Sequence, residues 1–395
     1  MVVVSVRHFR RVTDLSAVLA VVCGGCARAT VPDVPSAIAV ADVVDRVPTT
    51  YVTPDDVGMI SDRVREAFVL LSERRFERAA VLFDLVVSLE PGGSHEGSAL
   101  YGAAVAYEEL GDFAESVKRY SRLVQEHPGH RDVRVALFRG CRLLSRVGDW
   151  VTLVRFGEVL VARSDLSTLE LVEALGSLAL GLVETGDASR AMVHIGRART
   201  LIEDGGFLNV ERLSVGMASV FFALGEALRM EGERIVFDPF PSDFADALER
   251  RCQSLLDAQD AYATAMRAYD SHWSSMAGYR VGGMYQRLHR DLMMIRPPAS
   301  ARTDHLRSLF SDAMQLRYRV LLEKGLKMMD RTLAMADRVG ESSAWVELAR
   351  GTKLEIERSL ADTDASLAKS RFSETELRRA IDGLAGRAGS VMPHR

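Results

Sequence analysis

The chain has 395 residues, 48% of them hydrophobic and 26% charged, a globular rather than a disordered composition. That length allows two or three ordinary domains or one long solenoid. A formal net charge of −4 argues against the basic surface that nucleic acid requires, so no nucleic-acid partner is expected.

Residues 1–30 read MVVVSVRHFRRVTDLSAVLAVVCGGCARAT. Arg7, His8, Arg10 and Arg11 make a basic start, and Leu15 to Val22 is an apolar run too short to span a bilayer. This is the layout of a secretory signal. Cys23-Gly-Gly-Cys26 has redox spacing but falls inside that signal. Gly24 and Gly25 before Cys26 resemble a bacterial lipobox, with Cys23 where Leu is usual. The resemblance implies a signal over 1–26, with Cys26 acylated as the only membrane anchor. Residues 27–55 carry Pro32, Pro35, Pro48 and Pro54 and read as a flexible linker.

Gly111-Asp112-Phe113 returns as Gly148-Asp149-Trp150 and as Gly186-Asp187-Ala188, at spacings of 37 and 38 residues. Arg74 stands 37 residues before Gly111. Such a period predicts stacked helix-turn-helix units, about four of them over residues 56–205. In each, the Gly ends the first helix in a left-handed conformation and the Asp caps the second. The expected interior of the second unit is Leu100, Ala104, Tyr107, Phe113 and Tyr120, closed by Pro128. The third unit drifts, with Gly157 and Asp165 in place of an aromatic and a Pro. Cys141 is expected as a small buried hydrophobe, as is Cys252 further on.

These residues resemble the tetratricopeptide-repeat family, whose units follow W-x₂-L-G-x₂-Y…A-x₃-F…P. The resemblance implies an all-α, right-handed superhelical solenoid with a concave groove lined by first helices. The family's groove positions fall on Val64, Phe68, Tyr101, Val105, Glu108, Phe138, Arg142, Arg146 and Glu184. That is a mixed apolar groove with charges at its rim, suited to an extended or helical peptide of another protein. Family members that clamp a C-terminal carboxylate need Lys and Asn in the groove. Val64, Phe68, Gly102 and Val135 stand there instead, which argues against that ligand.

Residues 206–360 read as longer, degenerate units. Helices are expected over 208–236, 245–270, 272–293 and 304–338, and from a Ser342–Ser343 cap to about Leu360. Residues 238–244 and 296–303 read as breaks, and 361–395 as a polar tail with a last helix near Glu374 to Leu384. Trp273, Gly282 and Tyr285 are spaced like a first helix of the same family. The helix order resembles long tetratricopeptide proteins of bacterial cell envelopes.

No phosphate loop, nucleophile elbow or paired-histidine metal helix occurs. Asp270-Ser271-His272 is better read as a helix start than as a nucleophile set, because adjacent helical residues point apart. His289 with Asp291 reads as helix polarity rather than a ligand pair. No cofactor or metal is expected. The reading is a non-enzymatic protein-interaction scaffold, an outer-membrane lipoprotein facing the periplasm that docks a subunit of an envelope complex. The alternatives are a soluble secreted or periplasmic chain that binds a small ligand or cell-wall fragment, and an enzyme whose site lies near Trp273, Tyr279, Tyr285 and Trp345.

Overall fold

A computed structural model describes residues 54–237, 244–298 and 301–386. The signal, Cys26 and most of the linker lie outside them, as do most of the 238–244 break and the chain beyond residue 386. The described residues form fourteen α-helices and no strand. They fall into two compact units, 54–223 and 224–386.

The first unit is a run of helical hairpins. They are α1 (Pro54–Ser72) with α2 (Phe76–Leu89), α3 (Glu96–Glu109) with α4 (Phe113–Glu126), α5 (Val133–Val147) with α6 (Trp150–Val161), and α7 (Thr168–Glu184) with α8 (Ala188–Asp204). The turns follow the expected chemistry. Gly111, Gly148 and Gly186 have φ of 78°, 78° and 94°, where a Cβ is strained. Asp112, Asp149 and Asp187 then accept from the backbone N–H groups of Glu115, Thr152 and Arg190, each at 3.1 Å. The first hairpin makes the same turn with Arg74, at φ 60°. Large side chains fill the space between helices: Phe83, Leu100, Tyr120, Leu144, Leu160 and Leu175 are fully buried. Cys141 and Cys252 are buried too, and burial pushes both thiols well above their ordinary range.

Helix α9 (Val215–Glu233) crosses from one unit to the other. It begins seven residues later than its apolar pattern predicts. Gly206 turns left-handed at φ 65°, and the Phe207 N–H bonds back to Ile202, so the chain leaves α8 through a closed turn instead of a new helix.

The second unit holds longer helices: α10 (Phe244–Met266), α11 (Ser271–Met293), α12 (Asp304–Val339), α13 (Ala344–Ala368) and α14 (Glu374–Gly386). Helices α11 and α12 pack closely, because Gly282 and Gly325 meet. A Cβ on Gly325 would stand 3.2 Å from the Gly282 carbonyl. Ser343 is the N-cap of α13 but makes no side-chain capping bond. The polar tail expected after residue 360 is helix for most of its described length. Helix α13 runs on to Ala368, since Thr363 is buried and Arg319 grips Asp364 with bonds of 2.6 and 3.0 Å. Ser373 and Glu376 cap α14 reciprocally, and Leu377 is buried beneath it.

Candidate functional site

The first helices of the hairpins carry the groove residues. Val64 and Phe68 lie on α1, Tyr101, Val105 and Glu108 on α3, Phe138, Arg142 and Arg146 on α5, and Glu184 on α7. Burial divides them. Val64 and Phe138 are each only 8% exposed and belong to the interior. Phe68, Tyr101, Val105 and Glu184 are half-buried, with part of each side chain open to solvent. The Phe68 ring rests edge-on against Phe83, centroids 4.9 Å apart, and Tyr101 leans on Tyr120 at 6.2 Å.

The charges are engaged with one another. Glu108 accepts from Arg139 on α5 at 2.8 Å and from the Tyr120 hydroxyl at 3.1 Å. Arg142 grips Glu173 on α7 with two bonds, 2.7 and 3.0 Å. Arg134 reaches Glu170 on α7 at 3.2 Å. Arg146 lies over the Phe113 ring, 5.4 Å from its centroid. The bond to Glu173 holds the Arg142 guanidinium above its ordinary range, although burial opposes it. Successive first helices are thus joined by opposite charges. Sequence reasoning missed Arg139 and Glu173. Their signal was available, because each stands 31 residues from its partner, close to the repeat length.

The second helices are joined in the same way. Asp84 on α2 accepts from Arg119 on α4 at 2.8 and 2.9 Å and from the Tyr107 hydroxyl at 2.7 Å. Burial alone would raise the Asp84 carboxyl, but these bonds bring it below the ordinary carboxylate range. Arg190 on α8 reaches Glu158 on α6 at 2.9 Å.

The tetratricopeptide-repeat family model matches residues 98–130, which span α3, the Gly111 turn and α4. That match, with the same turn returning at Gly148 and Gly186, supports a tetratricopeptide-repeat assignment. No curated protein matches the chain. A tetratricopeptide repeat protein from Parabacteroides merdae, of solved structure, is similar at 13% identity, over 74% of this chain and 98% of that one, with a TM-score of 0.36.

Other constellations among the described residues resolve into packing. Glu96, Glu126 and His127 come within 4.8 Å of one another. Yet the buried Glu96 carboxylate is already held by Arg122, by His127 at 2.9 Å and by the Gly92 N–H at 2.6 Å. The set fastens the start of α3. In the second unit, Asp270 caps α11 by accepting from the Trp273 N–H at 3.0 Å, while Ser271 donates to Glu341 at 2.5 Å and His272 is buried. These three side chains do not converge. His289 is buried, and burial with Arg290 nearby brings its imidazole down to about 4. Its neighbour Asp291 is taken by Arg251 and Arg287, at 2.7 and 2.9 Å.

The second unit also holds a buried ionic network. Glu226 is 0% exposed and accepts from the Tyr262 hydroxyl at 2.5 Å and from Arg229 at 2.6 Å. Arg280 approaches it at 2.7 Å and stacks on Trp345 at 5.2 Å, and Arg229 also binds Glu233. Two guanidinium groups thus converge on one fully buried carboxylate.

Proposed function

We propose that the chain is a non-enzymatic interaction scaffold, held in a bacterial cell envelope by acylation of Cys26, that docks a peptide segment of another envelope protein on its first-helix face. The observation carrying this reading is the division of labour on that face. Glu108 and Arg142 are committed to neighbouring hairpins, while Phe68, Tyr101 and Val105 keep apolar surface open to solvent. Such a face favours a partner that brings apolar side chains rather than net charge. The family's general use in protein–protein contact points the same way.

The test separates anchor from docking. Cells fed a radiolabelled fatty acid should label the full chain and should fail to label Cys26→Ala, which should leave the membrane fraction. Equal labelling of both chains overturns the anchor. For docking, partners are captured with a photo-crosslinker placed at Val105, and a binding constant is measured for the recovered protein. Phe68→Ala combined with Tyr101→Ala should weaken it at least tenfold, while Val193→Asp, an exposed site on α8, should leave it unchanged. Equal affinity of all three chains overturns the groove.

A further inference from the structure

Given docking on the first-helix face, as proposed above, we infer that the docked segment is an amphipathic helix of the partner, with two acidic residues seven apart on one flank of its apolar stripe that meet Arg74 and Arg146. The ion pairs between hairpins leave these two cations over. Arg119, Arg134, Arg139 and Arg142 each hold a carboxylate of a neighbouring hairpin. Arg74 and Arg146 hold none among the described residues. Each lies instead on an aromatic ring, Arg74 on Phe76 at 5.9 Å and Arg146 on Phe113 at 5.4 Å. A guanidinium stacked by its face keeps its N–H fork open to a carboxylate.

Phe76 and Phe113 each open a second helix and stand 37 residues apart, at the same position of successive hairpins. The two rings, and the cations on them, are therefore one hairpin step apart along the turn edge of the first unit, roughly 8–10 Å. Arg74 carries a further sign. It holds φ 60° where the later hairpins have Gly111, Gly148 and Gly186. A glycine makes this turn without strain, and no side-chain hydrogen bond or ion pair of Arg74 within the described residues offsets that strain. The acids along the same edge are already engaged. Glu73 pairs with Arg75, Glu109 lies 4.0 Å from Arg139, and Asp112 and Asp149 cap helices. Carboxylates for Arg74 and Arg146 therefore come from the partner.

The geometry selects the shape of that segment. Phe68, Val105 and Arg142 are equivalent positions of three successive first helices. Arg146 lies one turn beyond that row, about 6 Å along the helix axis toward the Gly148 turn. Arg74 lies on the same side of Phe68, just past the end of α1. The partner thus meets an apolar row with cations to one side of it. An extended strand turns successive side chains to opposite faces and presents a single row. A helix presents both an apolar stripe and its flank, and residues seven apart on it are about 10.5 Å apart, close to the hairpin step. Both ion pairs lie at an open edge, where they add little affinity and set the direction in which the helix lies. The two acids are local, so the segment need carry no net charge.

Selection of displayed peptides, each about 18 residues long, on the purified full chain tests this. Peptides seated on the groove are those whose affinity falls at least tenfold in the chain carrying Phe68→Ala and Tyr101→Ala. They should be helical when bound and carry Asp or Glu at a spacing of seven beside the apolar stripe. Replacing both acids by Asn or Gln should weaken binding to the parent chain about fivefold, and should change nothing in the chain carrying Arg74→Gly and Arg146→Gln. Those two substitutions keep the fold, since glycine suits the turn and Arg146 is partly exposed. Groove peptides with no preference for the acids, or a preference that survives Arg74→Gly with Arg146→Gln, overturn the acidic flank and leave the docking face standing. If no selected peptide depends on Phe68 and Tyr101, the docking face itself is overturned, and the acidic flank with it.

Discussion

Replacing Glu226 with Gln should unfold the second unit's centre. The carboxylate is fully buried, and the change removes the charge on which the guanidinium groups of Arg229 and Arg280 both converge. Removing one partner of a buried ion network costs roughly 3–5 kcal/mol. Acid gives a second reading of the same interaction. Burial raises the Glu226 carboxyl, but the charges of Arg229 and Arg280 and the bonds from Arg229 and Tyr262 outweigh it and bring it from 4.5 down to about 2. A carboxyl lowered in the folded state adds stability that is fully present above its unfolded value and is lost as pH falls through its folded one. At about 1.4 kcal/mol per tenfold in proton affinity, the contribution is roughly 3 kcal/mol, lost between about pH 4.5 and pH 2. The assay is denaturant unfolding followed by tryptophan fluorescence in a Trp150→Phe background, since Trp273 and Trp345 both lie in the second unit. Glu226→Gln should lower the midpoint strongly at pH 7, and the gap from the parent should close toward pH 2. A loss below about 1 kcal/mol at pH 7, or a gap that does not change with pH, would refute the charge argument.

Four further outcomes follow from the first unit, each read by denaturant unfolding. Arg74→Gly should gain up to about 1 kcal/mol by relieving the left-handed turn, even with its stacking on Phe76 lost, whereas Gly148→Ala at φ 78° should lose about 1 kcal/mol. Asp149→Ala removes the bond to the Thr152 N–H and should cost about 1 kcal/mol. Gly176→Ala would place a Cβ 2.8 Å from the Val220 backbone nitrogen and 2.3 Å from the Ser219 hydroxyl, so it should cost about 1–3 kcal/mol.

The hairpins were legible because their signals are local and repeated. A left-handed glycine followed by a capping aspartate fixes a turn within three residues, and its return at one period fixes the stack. Arg74 could be placed by period alone, although its residue type hides the turn. The C-terminal extension of α13 was less visible, because Arg319 lies 45 residues from Asp364 and no repeat links them. The groove was legible as positions on first helices, but not as accessible surface. Whether Val64 and Phe138 face inward depends on packing between hairpins, which periodicity within one helix does not determine. The Glu226 network was missed for the same reason. Glu226 and Arg229 look like ordinary helix polarity until Tyr262 and Arg280 close over them from two other helices.

The ion pairs between hairpins bear on how the array keeps its register. Most of the pairs are partly open to solvent, and such pairs contribute about 0–1 kcal/mol each. Their weight is therefore in register rather than in stability. Glu108 with Arg139 and Arg142 with Glu173 each tie one first helix to the next, and Asp84 with Arg119 and Glu158 with Arg190 do the same for second helices. A slip of one hairpin by a helical turn would break several of these pairs at once. On the proposed reading, a partner docked on the first-helix face would meet mainly apolar shape, because Glu108 and Arg142 are already paired. Its binding should then change little with salt, whereas a face of free arginines would weaken steeply.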